Sequence, residues 1–411
     1  MLELYKKAKL PLYVREMLMI TRNMTLILKK VAEQLPVVAL LGPRQSGKTT
    51  LAQTTFSKHK YISLEDLDIR AQATNDPREF LEFHRNEHGI ILDEIQNVPG
   101  LLSYIQTIVD KEEQVGYFIL TGSQNFLINQ TITQTLAGRI AILTLLPLSI
   151  FELKENNLLP QTIEELVYKG SYPRLYAREI MLSVWYSSYI LTYIERDVRQ
   201  VATIADLTVF QLFLKLCAGR IGQLLNVSSL ANDCGIPLRT AQAWLSLLQA
   251  SYIIFLLQPH YKNYSKRLVK TSKLYFYDTG LACSLLDIES AEQLRSHYLR
   301  GNLVECLLIS DLFKQNYNRA RIPHIYFWRD NHGHEIDCLV EYGTSLTPIE
   351  IKAGRTVTAD YFTGLNYWNA LSQNDPRNGF VLYAGPEGQI SNQAQVLSWR
   401  DIERIFKHIY K

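Results

Sequence analysis

Cysteine is scarce in this 411-residue chain, and neither sign of charge dominates it. The five cysteines (Cys217, Cys234, Cys283, Cys306 and Cys338) are scattered, odd in number and never close-spaced. That pattern argues against a disulfide framework and a cysteine-ligated zinc site, and for a reducing compartment. The 43 basic side chains nearly balance the 40 acidic ones, leaving a net charge of +3. Global charge therefore does not announce nucleic acid, and any basic surface must be local. Long hydrophobic runs are missing as well. The stretch 140–151 is short and broken by Pro147, so no membrane span is expected. Residues 1–15 mix Lys, Glu and Pro11 and lack the apolar centre of a targeting segment, which leads to the expectation of a cytoplasmic protein. There is no internal repeat and no low-complexity segment. Hydrophobic residues make up 47% of the chain, enough for a substantial core. The length suggests about two to four domains.

What the chain does have is Gly42-Pro43-Arg44-Gln45-Ser46-Gly47-Lys48-Thr49-Thr50. The apolar residues 37–41 before it read as a buried strand, and residues 49–56 can start a helix. A glycine-rich turn between strand and helix aims successive backbone N–H groups and the positive end of the helix at one spot. A triphosphate is its natural occupant. Lys48 would reach the β- and γ-phosphates, and the Thr49 hydroxyl would hold Mg²⁺. ATP and Mg²⁺ are therefore the expected cofactors.

About 45 residues later, Gly89-Ile90-Ile91-Leu92-Asp93-Glu94 reads as an apolar strand ending in two carboxylates. Asp93 would bind Mg²⁺, directly or through water, and Glu94 would polarise the attacking water. A third apolar strand, Tyr117-Phe118-Ile119-Leu120, runs into Thr121-Gly122-Ser123. Ser123 is the candidate sensor of the γ-phosphate, with a plain structural turn as the competing reading. Arg139, before the strand-like run 140–146, would suit a γ-phosphate contact in its own site or a neighbour's; a solvated or ion-paired arginine is the simpler alternative.

Strands alternating with helical stretches across residues 23–147 predict a parallel α/β sheet. Residues 1–22 form an extension ahead of it. Residues 148–209 read as helical, with apolar spacing of three and four and a break at Gly170-Ser171-Tyr172-Pro173; they form a lid or a linker. Residues 210–288 carry a helix-turn-helix pattern. A short helix at 228–233 meets a turn at Gly235 and Pro237. A second helix at 238–250 follows, with Ala241, Trp244, Leu245 and Leu248 on one stripe. The strand-like runs 252–257 and 273–277 suit the hairpin of a winged helix. Lys262, Lys266, Arg267, Lys270 and Lys273 lie between or at their edge, with no acid from 262 to 273. With Arg239 on the second helix, they could neutralise the phosphates of double-stranded DNA, or the module could dock a protein instead.

Residues 289–411 form the last unit. Residues 326–328, 336–342 and 346–352 read as strands with a turn at Gly343. Asp337, then Glu350 and Lys352 two apart on one strand face, match the spacing of a metal-dependent nuclease; a helix over 301–313 would add Glu305. An ordinary surface ion pair gives the same pattern.

The segments around Gly42 to Thr50, Leu92-Asp93-Glu94-Ile95-Gln96, Leu120 to Ser123 and Leu136 to Arg139 are joined by Pro147-Leu148-Ser149 and Tyr275-Phe276-Tyr277-Asp278-Thr279-Gly280-Leu281. Together with Glu305, Asp337, Glu350 and Lys352 they resemble a prokaryotic family of AAA-type P-loop ATPases with a C-terminal domain of unknown function. The resemblance spans nearly the whole chain beyond Asn23. It implies an ATPase core, then a winged helix, then a restriction-endonuclease-like α/β domain. The expected function is a DNA-associated ATPase. An ATP-gated nuclease and a nucleotide-controlled protein switch are the alternatives. A homo-oligomer would give Arg139 a place at a subunit junction.

Overall fold

The computed structural model describes residues 19–112, 114–123, 135–194, 206–260 and 270–410. The first unit is a five-stranded, fully parallel sheet of order β2-β3-β4-β1-β5. Its strands are β1 (Val37–Gly42), β2 (Lys60–Ser63), β3 (Ile90–Asp93), β4 (Phe118–Ser123) and β5 (Ile140–Thr144). β1 is buried along its whole length because both sheet faces are covered. Side chains alternate across a strand. Val37, Ala39 and Leu41 accordingly enter one core with Ile90, Leu92 and Leu120. Val38 and Leu40 enter the opposite one, beneath the helices Met24–Ala32 and Lys48–Thr55. β2 escapes the sequence reading. It is a short edge strand, Lys-Tyr-Ile-Ser, with only Ile62 fully buried, so it carries no apolar run.

The second sheet has seven strands in the order β12-β11-β10-β9-β8-β6-β7. They are β6 (Ile254–Pro259), β7 (Lys273–Phe276), β8 (Ile325–Arg329), β9 (Glu335–Tyr342), β10 (Ser345–Lys352), β11 (Phe380–Tyr383) and β12 (Gln395–Ser398). β6 and β7 form an antiparallel pair beside the helices Val227–Asp233 and Leu238–Ala250, where a winged-helix hairpin is expected. That pair does not stand alone, because β6 also pairs in parallel with β8. One sheet therefore runs across position 288, where a domain boundary is read from the sequence. One continuous core, from Leu146 to Phe406, covers the helical segment, the helix-turn-helix region and one face of this sheet. The helix Thr363–Ser372 packs on the other face with Trp328, Trp368 and Tyr383. No helix among the described residues is long and apolar enough to cross a membrane.

A buried ion pair joins these parts. Arg22 is 6% exposed and Glu152 is 0% exposed. Arg22 Nε donates to Glu152 Oε1 at 2.9 Å, Nη1 to the Ser46 carbonyl at 2.7 Å, and Nη2 to the Leu146 carbonyl at 2.7 Å. Glu152 also accepts from the Asn23 and Ser149 backbone N–H groups and closes the capping box of helix Ile150–Glu155. Burial alone would push this carboxyl up; the Arg22 guanidinium and the backbone donors outweigh it and hold it below its ordinary value. Next to it, the Ile150 N–H donates to Asp311 Oδ1 on helix Arg300–Tyr317 at 2.6 Å. Replacing Arg22 by Met leaves Glu152 buried and unpaired. Arg22→Met should lower stability by about 3–5 kcal/mol, read by denaturant unfolding; an unchanged midpoint would show that the pair is dispensable.

Candidate functional site

The nucleotide-type site lies at the carboxyl ends of β1, β3 and β4. The loop leaves β1 at Gly42 and enters helix Lys48–Thr55 through Gly47, whose φ of 94° is left-handed and favours glycine. Gln45, at φ 63°, is a second left-handed position, and such alternation turns backbone N–H groups inward into an anion cradle. Lys48 Nζ folds onto the loop, donating to the carbonyls of Gly42 at 3.1 Å and Pro43 at 2.8 Å. The Ser46 hydroxyl is buried without a hydrogen-bond partner, a donor within the loop itself. The loop is braced from outside by Arg22 on Ser46 and by Tyr189, whose hydroxyl donates to the Arg44 carbonyl at 3.4 Å. Pro173, from the Gly170–Pro173 break, comes within 3.8 Å of the position a Gly47 Cβ would take.

Opposite the loop, Asp93 ends β3. Thr49 Oγ1 donates to Asp93 Oδ1 at 2.8 Å, and Tyr61 donates to Oδ2 at 2.9 Å. Thr121 donates to the same carboxylate from β4. Burial first, and the Asp93 charge second, raise the Tyr61 hydroxyl well above its ordinary value, so it stays a donor. Hydroxyl and carboxylate oxygens side by side suit a hard cation. Mg²⁺ is commonly held by one or two carboxylates together with substrate phosphates, so Thr49 and Asp93 fit it. Glu94 follows in a left-handed conformation, φ 57° and ψ 49°, which costs a non-glycine residue about 1–2 kcal/mol and is typical of functional positions. Gln96 donates to Glu94 and, at 3.0 Å, to Ser123 Oγ. The structure thus brings Gly42 through Thr50, Asp93, Glu94 and Ser123 together. Tyr61, Thr121, Gln96 and Arg22 belong to the same neighbourhood and escape the sequence reading. Gln96, three residues past Asp93, and Thr121, two before Ser123, stand close enough in sequence to have been suspected.

Arg139 is not brought there. It precedes β5, and its carbonyl accepts from the Val37 N–H at the start of β1. That is the opposite end of the sheet, roughly 16 Å from the loop at ~3.3 Å per strand residue. Its guanidinium pairs instead with Asp110, donating through Nη2 at 3.0 Å.

In the C-terminal unit, Glu305, Asp337, Glu350 and Lys352 do meet on one sheet region, with two lysines among them. Lys273 Nζ lies 3.1 Å from Glu305 Oε1 and also pairs with Glu335. Tyr275 donates to Glu305. Lys352 Nζ donates to Glu350 Oε2 at 2.6 Å, and Asp337 Oδ2 accepts the Ile351 N–H at 2.8 Å. Burial pushes Glu305 up to about 7 against the pull of Lys273, and Glu350 rises well above its ordinary value through burial and the neighbouring Asp337. Burial draws the Lys273 ammonium down, but Glu305, Glu335 and Asp337 outweigh it, so the residue stays charged. Lysine ammonium groups sit on Glu305, Glu335 and Glu350, and among the described residues no three His, Cys, Asp or Glu side chains are arranged to hold a metal. Lys273 also needs correcting as a wing cation: it is 4% exposed and neutralises acids within the fold.

Of the basic residues read as a DNA contact, Arg239 and Lys270 are exposed. Lys262, Lys266 and Arg267 lie outside the described residues.

Residues 34–154 match the family model described as an AAA domain. Residues 160–292 match a domain of unknown function, DUF8612, and residues 300–402 another, DUF4143. An uncharacterized protein of Mycobacterium tuberculosis is 26% identical over 342 residues, covering 83% of this chain and 75% of that protein. An uncharacterized protein of Mycobacterium bovis matches with the same figures. Among solved structures, the Walker-type ATPase PABY2304 of Pyrococcus abyssi aligns at 17% identity and a TM-score of 0.41, over 65% of this chain and 96% of that one. The RuvB Holliday junction branch migration motor of Thermotoga maritima aligns at 19% identity and a TM-score of 0.29, over 56% and 86%. The AAA match and the loop geometry together support ATP binding and ATPase activity.

Two outcomes test these assignments. Glu94→Gln should lower ATP turnover on the order of 10²- to 10⁴-fold while nucleotide binding persists; undiminished turnover would remove Glu94 as the base. Lys273→Met should destabilise the protein by about 3–5 kcal/mol, since Glu305 and Glu335 would lose their shared cation; a thermal melt unmoved by the change would contradict the pairing.

Proposed function

We propose that this chain, which joins an AAA domain to a C-terminal domain of unknown function, hydrolyses ATP to ADP and phosphate and uses that cycle on DNA. The observation that carries the first part is the convergence of Lys48, Thr49, Asp93 and Glu94 at one sheet edge. The loop N–H groups and Lys48, released from the Gly42 and Pro43 carbonyls, bind the phosphates. Thr49 and Asp93 would hold Mg²⁺, which would supply positive charge to offset that of the phosphates. Glu94 takes the proton of a water in line with the γ-phosphorus. Ser123, at the end of β4 and in register with Gly42, stands where it can respond to the γ-phosphate.

The DNA part rests on the helix Leu238–Ala250. Its sequence contains no acid, its apolar stripe is buried, and Arg239, Gln242, Ala243 and Ser246 are exposed. An acid-free, hydrogen-bonding face suits a duplex. Lys270 adds a cation at the near end of β7, with Lys262, Lys266 and Arg267 close by in sequence. Cleavage is not part of this reading, because Glu305 and Glu350 are already paired with lysines.

Steady-state hydrolysis with and without duplex DNA, with Lys48→Ala as the blank, tests both parts. Stimulation by DNA is expected. Charge reversal at Arg239 and Lys270 should weaken duplex binding and flatten its salt dependence by about one unit of slope for each phosphate that is no longer neutralised. Turnover indifferent to DNA, with duplex affinity unchanged in the reversed protein, would favour a protein-binding switch instead.

A further inference from the structure

Gln96 stands on the single helical turn Ile95–Asn97 that follows Glu94. One end of its carboxamide is tied down: Nε2 donates to Ser123 Oγ at 3.0 Å and also to Glu94. The other end is not. Gln96 Oε1 is buried and has no hydrogen-bond partner. Leaving a buried acceptor unpaired costs about 1–3 kcal/mol, so a glutamine whose role was only to join β3 to β4 would be a poor choice. Backbone space is given up for it as well. A Cβ on Gly122 would come within 2.5 Å of Oε1, so β4 carries glycine where this oxygen lies. The result is a carboxamide seated against β4, with its donor end turned to the carboxylate assigned as base.

We propose that Gln96 is the positioning residue for hydrolysis. Its Nε2 fixes the direction of the Glu94 carboxylate, so that this base takes the proton of a water whose lone pair faces the γ-phosphorus. The step balances within the ATPase reading, on which this inference rests. The water oxygen bonds to the γ-phosphorus while the bond from that phosphorus to the bridging oxygen breaks. The bond's electron pair stays on the β-phosphate of ADP. One hydrogen of the water leaves as a proton to Glu94, and the other stays on the oxygen now bonded to phosphorus. Because the same Nε2 also holds Ser123, and Ser123 lies beside Gly42, base and loop are joined through one side chain.

The test uses the full-length protein and four variants: Gln96→Ala, the isosteric Gln96→Glu, Glu94→Gln, and Glu94→Gln combined with Gln96→Ala. Equilibrium binding of a fluorescent ATP analogue and steady-state kinetics are measured on each. Gln96→Ala should keep nucleotide affinity within about threefold and lose kcat by on the order of 100-fold. Gln96→Glu keeps the volume but removes the donor to Glu94, and should fail in the same way. In the Glu94→Gln background, Gln96→Ala should change kcat little further, because the two residues act as one unit. A kcat in Gln96→Ala close to that of the wild type, a loss confined to affinity, or fully additive losses would each overturn the proposal while leaving the ATPase reading standing. Wild-type protein that binds the analogue but hydrolyses no ATP would overturn the ATPase reading, and this inference with it.

Discussion

The Arg22–Glu152 pair is the contact on which the remaining structure depends. A guanidinium and a carboxylate both removed from water must satisfy every donor and acceptor locally. Arg22 does so by reaching the phosphate-binding loop at Ser46, the strand exit at Leu146 and the capping box of helix Ile150–Glu155. The chain at Arg22, at Ser46 and at Leu146 to Glu152, three stretches separated in sequence, is thereby held in one geometry. Arg22 and Tyr189 brace the loop through the carbonyls of Ser46 and Arg44.

From that hub the contacts continue into the C-terminal half. Asp311 caps the Ile150 N–H, and Lys314, one turn further along the same helix, donates to Ser171 Oγ at 2.7 Å. Ser171 donates in turn to Asp278, which also accepts from Tyr186. Helix Arg300–Tyr317 carries Glu305 of the lysine-bridged cluster and Asp311 of the loop-side network on one rigid rod. The nucleotide loop and the C-terminal sheet are thus parts of one hydrogen-bonded body. The sheet makes the connection firmer, since β6 and β7 sit beside the helix-turn-helix and also extend the C-terminal strands.

The two acidic sites differ in what neutralises them. At the loop, Asp93 is met by hydroxyls, those of Thr49, Tyr61 and Thr121, which leave its charge available to a cation. In the C-terminal unit, Glu305, Glu335 and Glu350 are met by ammonium groups. The two acidic groups therefore differ in their partners, hydroxyls at the loop and lysines in the C-terminal unit.

The sequence by itself determined the local pieces. The Gly42 to Thr50 turn, the apolar β1, β3 and β4, and the acids ending β3 are set by residues adjacent in the chain. Backbone conformation and burial periodicity act over those few residues, so they are legible there. The same holds for the helix-turn-helix stripe and the β9–β10 hairpin. Only the tertiary structure decided which distant residues complete each site. Arg139 reads as a phosphate contact until the parallel register puts it at the start of β1 rather than at its end. Lys273 reads as a wing cation until β7 joins the sheet and turns it onto Glu305. Tyr61 lies on a strand too polar to show periodicity, and several of the abundant tyrosines gain a role only where their hydroxyls meet Arg44, Asp93 or Asp278. The physical reason is common to all of them. A charge or hydroxyl takes its meaning from the partner it is buried against, and that partner lies tens to hundreds of residues away.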